Sequence, residues 1–365
     1  MIGDAANFSS AGKTHWGWII AVTLLLVLLP AVFDTNTPTL LGIWALLALS
    51  LGLMWGYAGI LSFGHAAYFG LGAYTYAITA MNMGESTAAW ILAILLPAFV
   101  AALIGAMMFY GRISDVYMGV ITLVFSLIMA KFMGATAGDA YSIGNARLGG
   151  FNGIPAFPIL NVPGDPSTPI FGTALYYVVV SCLVICYLIS RWVMSSAFGR
   201  ILLGIRENES RIELLGYNAP AYKTAIFSLS AAMAGLAGCL FASWAEIVTP
   251  ALFGLGQSVE VIIWVIAGGL GTLIGPVVGA ILLGLLKLQL GAQTFIDNSL
   301  VIGAILVLVV LLLPRGLIPT IMGWIRHQDQ RSVNRARNNS MRRRAGERRT
   351  PKSPDQAHKS VKHHE

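Results

Sequence analysis

The chain has 365 residues, of which 56% are hydrophobic and only 11% charged, and its formal net charge is +7. A soluble domain typically carries about 25% charged residues, and the mean hydropathy of +0.74 departs from that class in the same direction. Composition therefore excludes an ordinary soluble protein and predicts an all-α, polytopic integral membrane protein, because the apolar runs approach the roughly 20 residues that a helix needs to cross a bilayer.

In chain order, the apolar runs predict about ten transmembrane segments, some of which are broken or re-entrant. The ten segments span residues 16–33, 39–58, 62–81, 88–110, 116–133, 171–192, 223–243, 258–274, 276–290 and 299–313. They define a transmembrane domain at 16–315, with a short N-terminal segment at 1–15 before it and a basic tail at 316–365 after it. Two connections are unusually long, one at 134–170 and the other at 195–223.

The distribution of basic residues predicts the orientation of the chain. If both termini are cytoplasmic, all of the 23 Lys and Arg residues lie on the cytoplasmic side except Lys131, Arg147 and Lys287. This arrangement follows the positive-inside rule, and it places the 195–223 connection in the cytoplasm and the 134–170 connection outside. The basic tail is expected to be disordered and held near anionic lipid headgroups, so its charge requires no nucleic acid.

The stretch "GILSFGHAAYFGLGAY" at 59–74 combines four glycines with one ionisable ring. Small residues let membrane helices approach closely, so the stretch predicts a tightly packed helix of a transport path. His65 is expected near the cytoplasmic start of this helix, where the neutral imidazole can hydrogen-bond a neighbouring backbone group. Proton chemistry at this ring is the alternative. Tyr68 and Tyr74 are candidate groups lining the path.

The outside connection at 134–170 is rich in Gly, Pro and Asn and contains "GGFNGIPAFPIL" from Gly149 to Leu160. A loop of this length with few polar runs is expected to pack on the membrane domain or to meet a partner.

The cytoplasmic connection at 195–223 is predicted to form a short amphipathic helix or a helix pair on the membrane surface. Gly216 is interpreted as a helix C-terminal cap, and Pro220 as the start of the next segment. The candidate positions of this segment are Arg200, Arg206, Glu207, Asn208, Arg211 and the capping Gly216. Such a helix either joins two spans without further function or docks a cytoplasmic subunit. In the second case its mixed charges give specificity, and its Ile and Leu side chains fill a groove on the partner.

The run "AGGLGTLIGPVVG" at 267–279 is predicted to break a helix, because Gly and Pro weaken or end helices. Two shorter helices that meet at a turn around Gly268, Gly269 and Gly271 fit this run better than one straight helix. The turn is either a break that lines a transport path or a simple hairpin.

No catalytic residue, metal ligand or cofactor is predicted. The glycine-rich run lacks the Gly-Lys-Ser/Thr ending of a phosphate-binding loop, and neither G-x-S-x-G nor H-E-x-x-H occurs. Cys182, Cys186 and Cys239 lie in apolar runs and are interpreted as packing residues. Glu260, the main acid within an apolar run, is expected to be solvated or paired.

Three motifs carry a resemblance to a known family. In order, they are "GILSFGHAAYFGLGAY", "GRILLGIRENESRIELLGYNAPAYKTAIFSLSAAMAGLAGCLFA" and "SVEVIIWVIAGGLGTLIGPVVGAILLG". Together they resemble the permease subunits of high-affinity branched-chain amino acid ABC importers, specifically the M-type subunit, over roughly residues 40–315. "GGFNGIP" is similar to the outside loop of that family.

The resemblance implies a multi-pass protein of the bacterial inner membrane that forms a translocation path with a second, homologous permease. It also implies two ABC ATPase subunits at the cytoplasmic face, which hydrolyse the ATP, and a periplasmic substrate-binding protein. The stretch from Arg200 to Gly216 matches the ATPase-coupling loop of the family. Urea and short-chain amide permeases belong to the same broad family, so the substrate is either a branched-chain amino acid or one of these solutes.

Two other classes stay open at this point. A stand-alone secondary transporter would need paired ionisable groups in the membrane, and His65 has no evident acidic partner in the sequence. An intramembrane enzyme would need several converging chemical groups, of which the sequence offers one histidine.

Overall fold

The computed structural model describes residues 34–138 and 140–291, together with the isolated residues 30, 303, 316–318 and 320. Nine helices follow one another in these residues. They are α1 (Asn36–Leu53, continued by a π-helix at Met54–Ala58), α2 (His65–Met83), α3 (Ser86–Tyr110), α4 (Asp115–Ala135), α5 (Thr173–Ser195), α6 (Ala197–Leu214), α7 (Ala219–Ala245), α8 (Leu255–Gly268) and α9 (Ile274–Gly291).

The helices confirm the mainly helical architecture. Eight of the ten predicted segments are helices over overlapping ranges, whereas 16–33 and 299–313 lie outside the described residues apart from one residue each. Five helices are long and apolar enough to cross a membrane. These are Asn36–Ala58, Ser86–Tyr110, Asp115–Ala135, Thr173–Ser195 and Ala219–Ala245.

The long connection after α4 adds short strands that the all-α prediction did not include. The strands are β1 (Ser142–Ile143), β2 (Ala146–Arg147), β3 (Ile154–Pro155), β4 (Asn161–Val162), β5 (Asp165–Pro169) and, after α7, β6 (Ile247–Val248). They pair antiparallel as β1–β2, β3–β6 and β4–β5. The pairing of Ile154 with Val248 ties the connection to the end of α7.

The connection at 134–170 packs on the helices, which was one of the two alternatives predicted for it. Ile154, Phe157 and Leu160 are buried. The Tyr76 hydroxyl of α2 donates a hydrogen bond to the Pro158 carbonyl at 3.0 Å. The Ser86 amide at the start of α3 donates to Asn161 Oδ1 at 3.1 Å. We call this side of the molecule the strand end, and the opposite side, where α6 lies, the α6 end.

Close helix crossings at glycines form the centre of the molecule. A methyl group at Gly72 of α2 would lie 2.2 Å from the Gly235 carbonyl oxygen of α7, and one at Gly238 would lie 2.0 Å from the Phe69 carbonyl oxygen. A methyl group at Gly235 itself would lie 2.4 Å from the Ala93 carbonyl oxygen of α3. Small residues thus bring three backbones together, as membrane helices commonly do.

Helix α1 is buried nearly all round, and apolar residues lie on all of its faces, as expected for a helix inside a bundle. It packs against α7, α5, α8 and α9. Gly52 of α1 is in direct contact with Pro276 of α9, and Gly56 approaches the backbone of Gly271 in the turn between α8 and α9. The C-terminal end of α1, this turn and α6 therefore share one end of the molecule.

Candidate coupling and translocation elements

Helix α6 is two short helices joined at Asn208. The backbone of Asn208 is extended, with φ −160° and ψ 97°, so the helical path breaks there. Its side-chain Oδ1 accepts a hydrogen bond from the Arg211 amide at 2.9 Å, which is how Asn caps a helix N-terminus. A methyl group at Gly204 would lie 2.7 Å from Ile212 Cδ1, so the two halves fold against each other. Of the two predicted forms, the structure shows the helix pair.

Arg206 connects this helix pair to α1. Its guanidinium donates a hydrogen bond to the Gly56 carbonyl in the π-helix at Met54–Ala58. Its side chain also lies against Gly59, which ends the π-helix with φ +76°. A π-helix is rare and occurs often at functional sites. Arg206 therefore bonds an irregular segment at the end of α1 instead of pointing away from the membrane domain.

Two acidic residues of the second half hold α6 to other helices. Glu209 pairs with Lys223 of α7, whose ammonium also lies 5.9 Å from the centre of the Phe109 ring. Glu213 pairs with Arg112, just after α3, at 3.4 Å. The second pair is solvent-exposed at Arg112 and contributes at most about 1 kcal/mol. The α6 pair is thus anchored to α1, α7 and the turn after α3.

The remaining positions of the predicted coupling segment form the outward surface of α6. Arg200, Glu207, Arg211 and Gly216 are exposed. Gly216 has φ +88° and its amide bonds the Glu213 carbonyl at 2.9 Å, consistent with the predicted helix C-terminal cap.

Leucines complete this outward surface. Leu214 and Leu215 are 88% and 68% exposed. We call these two leucines, with Glu207 and Arg211, the α6 outer surface. Sequence reasoning missed Leu214, although two adjacent leucines at the end of an amphipathic helix are a usable signal for a binding surface.

His65 starts α2 but lies deeper than the sequence predicted. Its Nε2 is 2.7 Å from Ser50 Oγ of α1, and the ring is 1% exposed. Ser50 precedes the end of the π-helix by eight residues, or roughly 12 Å at the rise of an α-helix. The partner is a hydroxyl group and not the backbone group that was expected. Since Ser50 Oγ donates to the Leu47 carbonyl at 2.6 Å, His65 Nε2 is assigned as the donor to Ser50.

Replacing Ser50 with alanine is expected to lower the free energy of unfolding by about 1–3 kcal/mol, because the buried His65 Nε2 would lose its partner. Thermal unfolding of the purified protein measures this change. Thr224→Ala is the matched control, since that hydroxyl bonds only within its own helix, to the Pro220 carbonyl at 2.8 Å. Equal unfolding temperatures for the two variants would show that the Ser50–His65 contact is dispensable.

Tyr68 and Tyr74 lie on different sides of α2. Tyr68 packs between Phe125 of α4 and Phe227 of α7, with ring centres 6.0 and 5.6 Å away. The Tyr74 ring stacks at 5.4 Å on Phe253, which lies in a 3-10 helix just before α8. Both tyrosines are buried in this chain, and neither hydroxyl has a hydrogen-bond partner among the described residues.

The glycine run forms a turn between α8 and α9, as predicted. Gly269 and Gly271 have φ +120° and +82°, a region that favours glycine. A methyl group at Gly268 would lie 1.9 Å from the Gly275 carbonyl oxygen, so the two helices nearly touch. Of these glycines, Gly271 approaches the backbone of Gly56 at the end of α1.

Glu260 is paired within the helices, which confirms one of the two expectations for it. Lys287 Nζ of α9 lies 2.6 and 2.7 Å from the two carboxylate oxygens of Glu260 on α8. The same ammonium is 5.3 Å from the centre of the Trp44 ring. A charge pair of this kind offsets the cost of placing either ion in an apolar region. Among the described residues, no three His, Cys, Asp or Glu side chains come together as metal ligands.

Several apolar helices of bilayer length pack together through small residues, and an amphipathic helix pair lies at one end of them. These features define a multi-pass membrane protein. Residues 35–311 match the family described as branched-chain amino acid transport system / permease component. The chain belongs to this family.

The chain is similar to several curated relatives. It is 27% identical to the high-affinity branched-chain amino acid transport system permease protein LivM of Escherichia coli (strain K12), over 83% of this chain and 74% of the relative. It is 24% identical to the probable branched-chain amino acid transport permease protein LivM of Methanocaldococcus jannaschii, over 76% of this chain and 91% of the relative. It is also 24% identical to the high-affinity branched-chain amino acid transport system permease protein LivH of Escherichia coli (strain K12), over 78% of this chain and 93% of the relative. No solved structure matches the chain significantly.

Proposed function

We propose that the chain is the transmembrane permease subunit of an ABC importer that carries branched-chain amino acids across the bacterial inner membrane. The observation that carries this proposal is the family match, which covers almost the whole helical region. The relatives named for branched-chain amino acid transport include both LivM and LivH proteins, which supports a second, homologous permease as partner.

In this proposal both termini and α6 are cytoplasmic, and the connection at 134–170 is periplasmic. A periplasmic binding protein delivers the solute to the strand end, and one of the two ATPase subunits docks on the α6 outer surface. The mixed charges and exposed leucines there suit a grooved protein partner. ATP hydrolysis in the partners biases two packings of the permeases, so this subunit catalyses no reaction of its own. The basic tail at 316–365 lies near anionic lipids.

Uptake by the assembled complex in proteoliposomes tests the proposal. With radiolabelled leucine outside and ATP inside, we expect uptake that requires ATP and that unlabelled isoleucine and valine abolish. Urea and acetamide at the same concentrations serve as the competing solutes of the related permeases. ATP-dependent uptake of labelled urea or acetamide, without uptake of leucine, would assign the chain to urea or amide transport. Uptake that follows a proton gradient without ATP would reject an ABC importer altogether.

A further inference from the structure

Helix α8 begins in the middle of the helical bundle and not at its edge. Phe253, directly before it, is in contact with Gly70 and Tyr74, which lie in the middle of α2 (His65–Met83). The Phe253 carbonyl accepts a hydrogen bond from Ser126 Oγ at 2.7 Å, and Ser126 lies in the middle of α4 (Asp115–Ala135). The chain therefore runs from β6 at the strand end into the helical bundle and starts α8 halfway along α2 and α4. Lipid headgroups do not reach this depth of a membrane.

The N-terminus of α8 is electrostatically positive and uncompensated. Gly254 occupies the N-cap position, no side chain of the described residues caps the helix, and its first turn contains no acidic residue. Free backbone N–H groups and the helix dipole make such a terminus favourable for an anion. Glu260 lies further along α8 and is neutralised by Lys287, so it does not compensate the terminus.

Unpartnered polar side chains accompany this terminus. Tyr74 is 2% exposed, and its hydroxyl has no hydrogen-bond partner among the described residues. Side chains on a helix lean toward its N-terminus, so the Tyr74 hydroxyl extends over the turn around Gly70, the turn that meets Phe253. Gln257, in the first turn of α8, also holds an unpartnered side-chain amide nitrogen. Buried polar groups are normally paired, so each of these two donors lacks the partner that a ligand could supply.

Space for a ligand exists at Gly256. A methyl group there would contact no atom within 4 Å, and the residue is exposed on the surface of this chain. Its neighbours Leu255 and Val259 are exposed as well and provide an apolar surface beside the terminus. An anionic group with an apolar body fits this arrangement.

We propose that the first turn of α8, with Tyr74 and Gln257, binds the carboxylate of the transported amino acid at mid-depth of the membrane. The apolar side chain of the solute would rest on Leu255 and Val259. Broken helices whose N-termini face anionic substrate groups are a recurrent solution in transporters. This inference rests on the proposed function and names the part of this subunit that recognises the solute.

One change removes a predicted interaction without disturbing the packing. Tyr74→Phe deletes only the hydroxyl, and because that hydroxyl is unpartnered in the fold, thermal stability should stay the same or rise. We expect the KM for leucine uptake to increase about tenfold, the loss typical of one hydrogen bond to a charged group. Thr87→Val is the matched control, because it removes another buried, unpartnered hydroxyl, on α3.

A charge test separates recognition of a carboxylate from simple obstruction. Gly256→Asp places a fixed carboxylate at the helix N-terminus, so it should abolish leucine uptake while stabilising α8. Gly256→Asn has nearly the same size without the charge and should retain measurable uptake.

Three results would contradict the proposed site. The first is an unchanged KM for leucine uptake in Tyr74→Phe, and the second is an equal rise of this KM in Thr87→Val. The third is an equal loss of leucine uptake in Gly256→Asp and Gly256→Asn. Failure of the proposed function is distinguishable, because the unmodified complex would then not take up leucine with ATP.

Discussion

Gly238→Ala is expected to destabilise the helical domain by about 1–3 kcal/mol or more, the cost of overpacking a well-packed core. The added methyl group would lie 2.0 Å from the Phe69 carbonyl oxygen and 2.9 Å from the Ala73 amide nitrogen. Both obstacles are backbone atoms of α2, so no side chain can rotate away. Helices α2 and α7 would have to separate, and the contact of Gly235 with α3 would loosen with them.

The measurement is the thermal unfolding midpoint of the detergent-purified protein, together with the fraction that elutes as a single species. Gly256→Ala is the matched control for stability, since that glycine is also helical but has open space around it. Alanine is the better helix former by up to about 1 kcal/mol, so the control should unfold at the same temperature or higher. A Gly238→Ala variant as stable as this control would show that the crossing tolerates wider separation.

The glycines of α2 show which parts of the helix packing could be predicted from the sequence. Small residues in an apolar segment predict close helix contact whatever the partner, so the tight packing of 59–74 followed from composition alone. The identity of the partner did not follow, because Gly72 and Gly235 are far apart in the chain and their contact is a tertiary property. For the same reason the sequence did not predict that α8 starts inside the bundle, because this start depends on contacts of Phe253 with α2 and α4.

The strands at 142–169 were missed for a different physical reason. Four of these five strands have only two residues, which is too short for an alternating pattern to develop, so periodicity gives no signal for them. Their formation depends on pairing partners such as Val248, more than ninety positions away from Ile154. Docking of a partner was one of two alternatives that the charges of α6 allowed, and charge alone could not tell that the Arg206 guanidinium bonds the Gly56 carbonyl of α1.

Arg206→Ala is expected to separate ATP hydrolysis from solute uptake. The guanidinium joins α6 to the Gly56 carbonyl of the π-helix, and Gly56 approaches the Gly271 turn between α8 and α9. A displacement of α6 by a docked ATPase would reach both elements through this contact. A hydrogen bond to a charged group contributes about 1.5–3 kcal/mol, so we expect leucine uptake to fall at least about tenfold. ATPase activity and assembly of the complex should persist.

Arg112→Ala gives the matched comparison, because it also removes an arginine that anchors α6. Its pair with Glu213 is solvent-exposed, worth at most about 1 kcal/mol, and reaches only the turn after α3. If α6 acts through α1, uptake should therefore fall much less in Arg112→Ala than in Arg206→Ala. Equal losses would indicate that α6 needs only to be held in place, by any anchor. Normal uptake in Arg206→Ala would mean that the signal from the ATPase passes through Glu209 and Lys223 to α7, the other anchor with a largely buried partner.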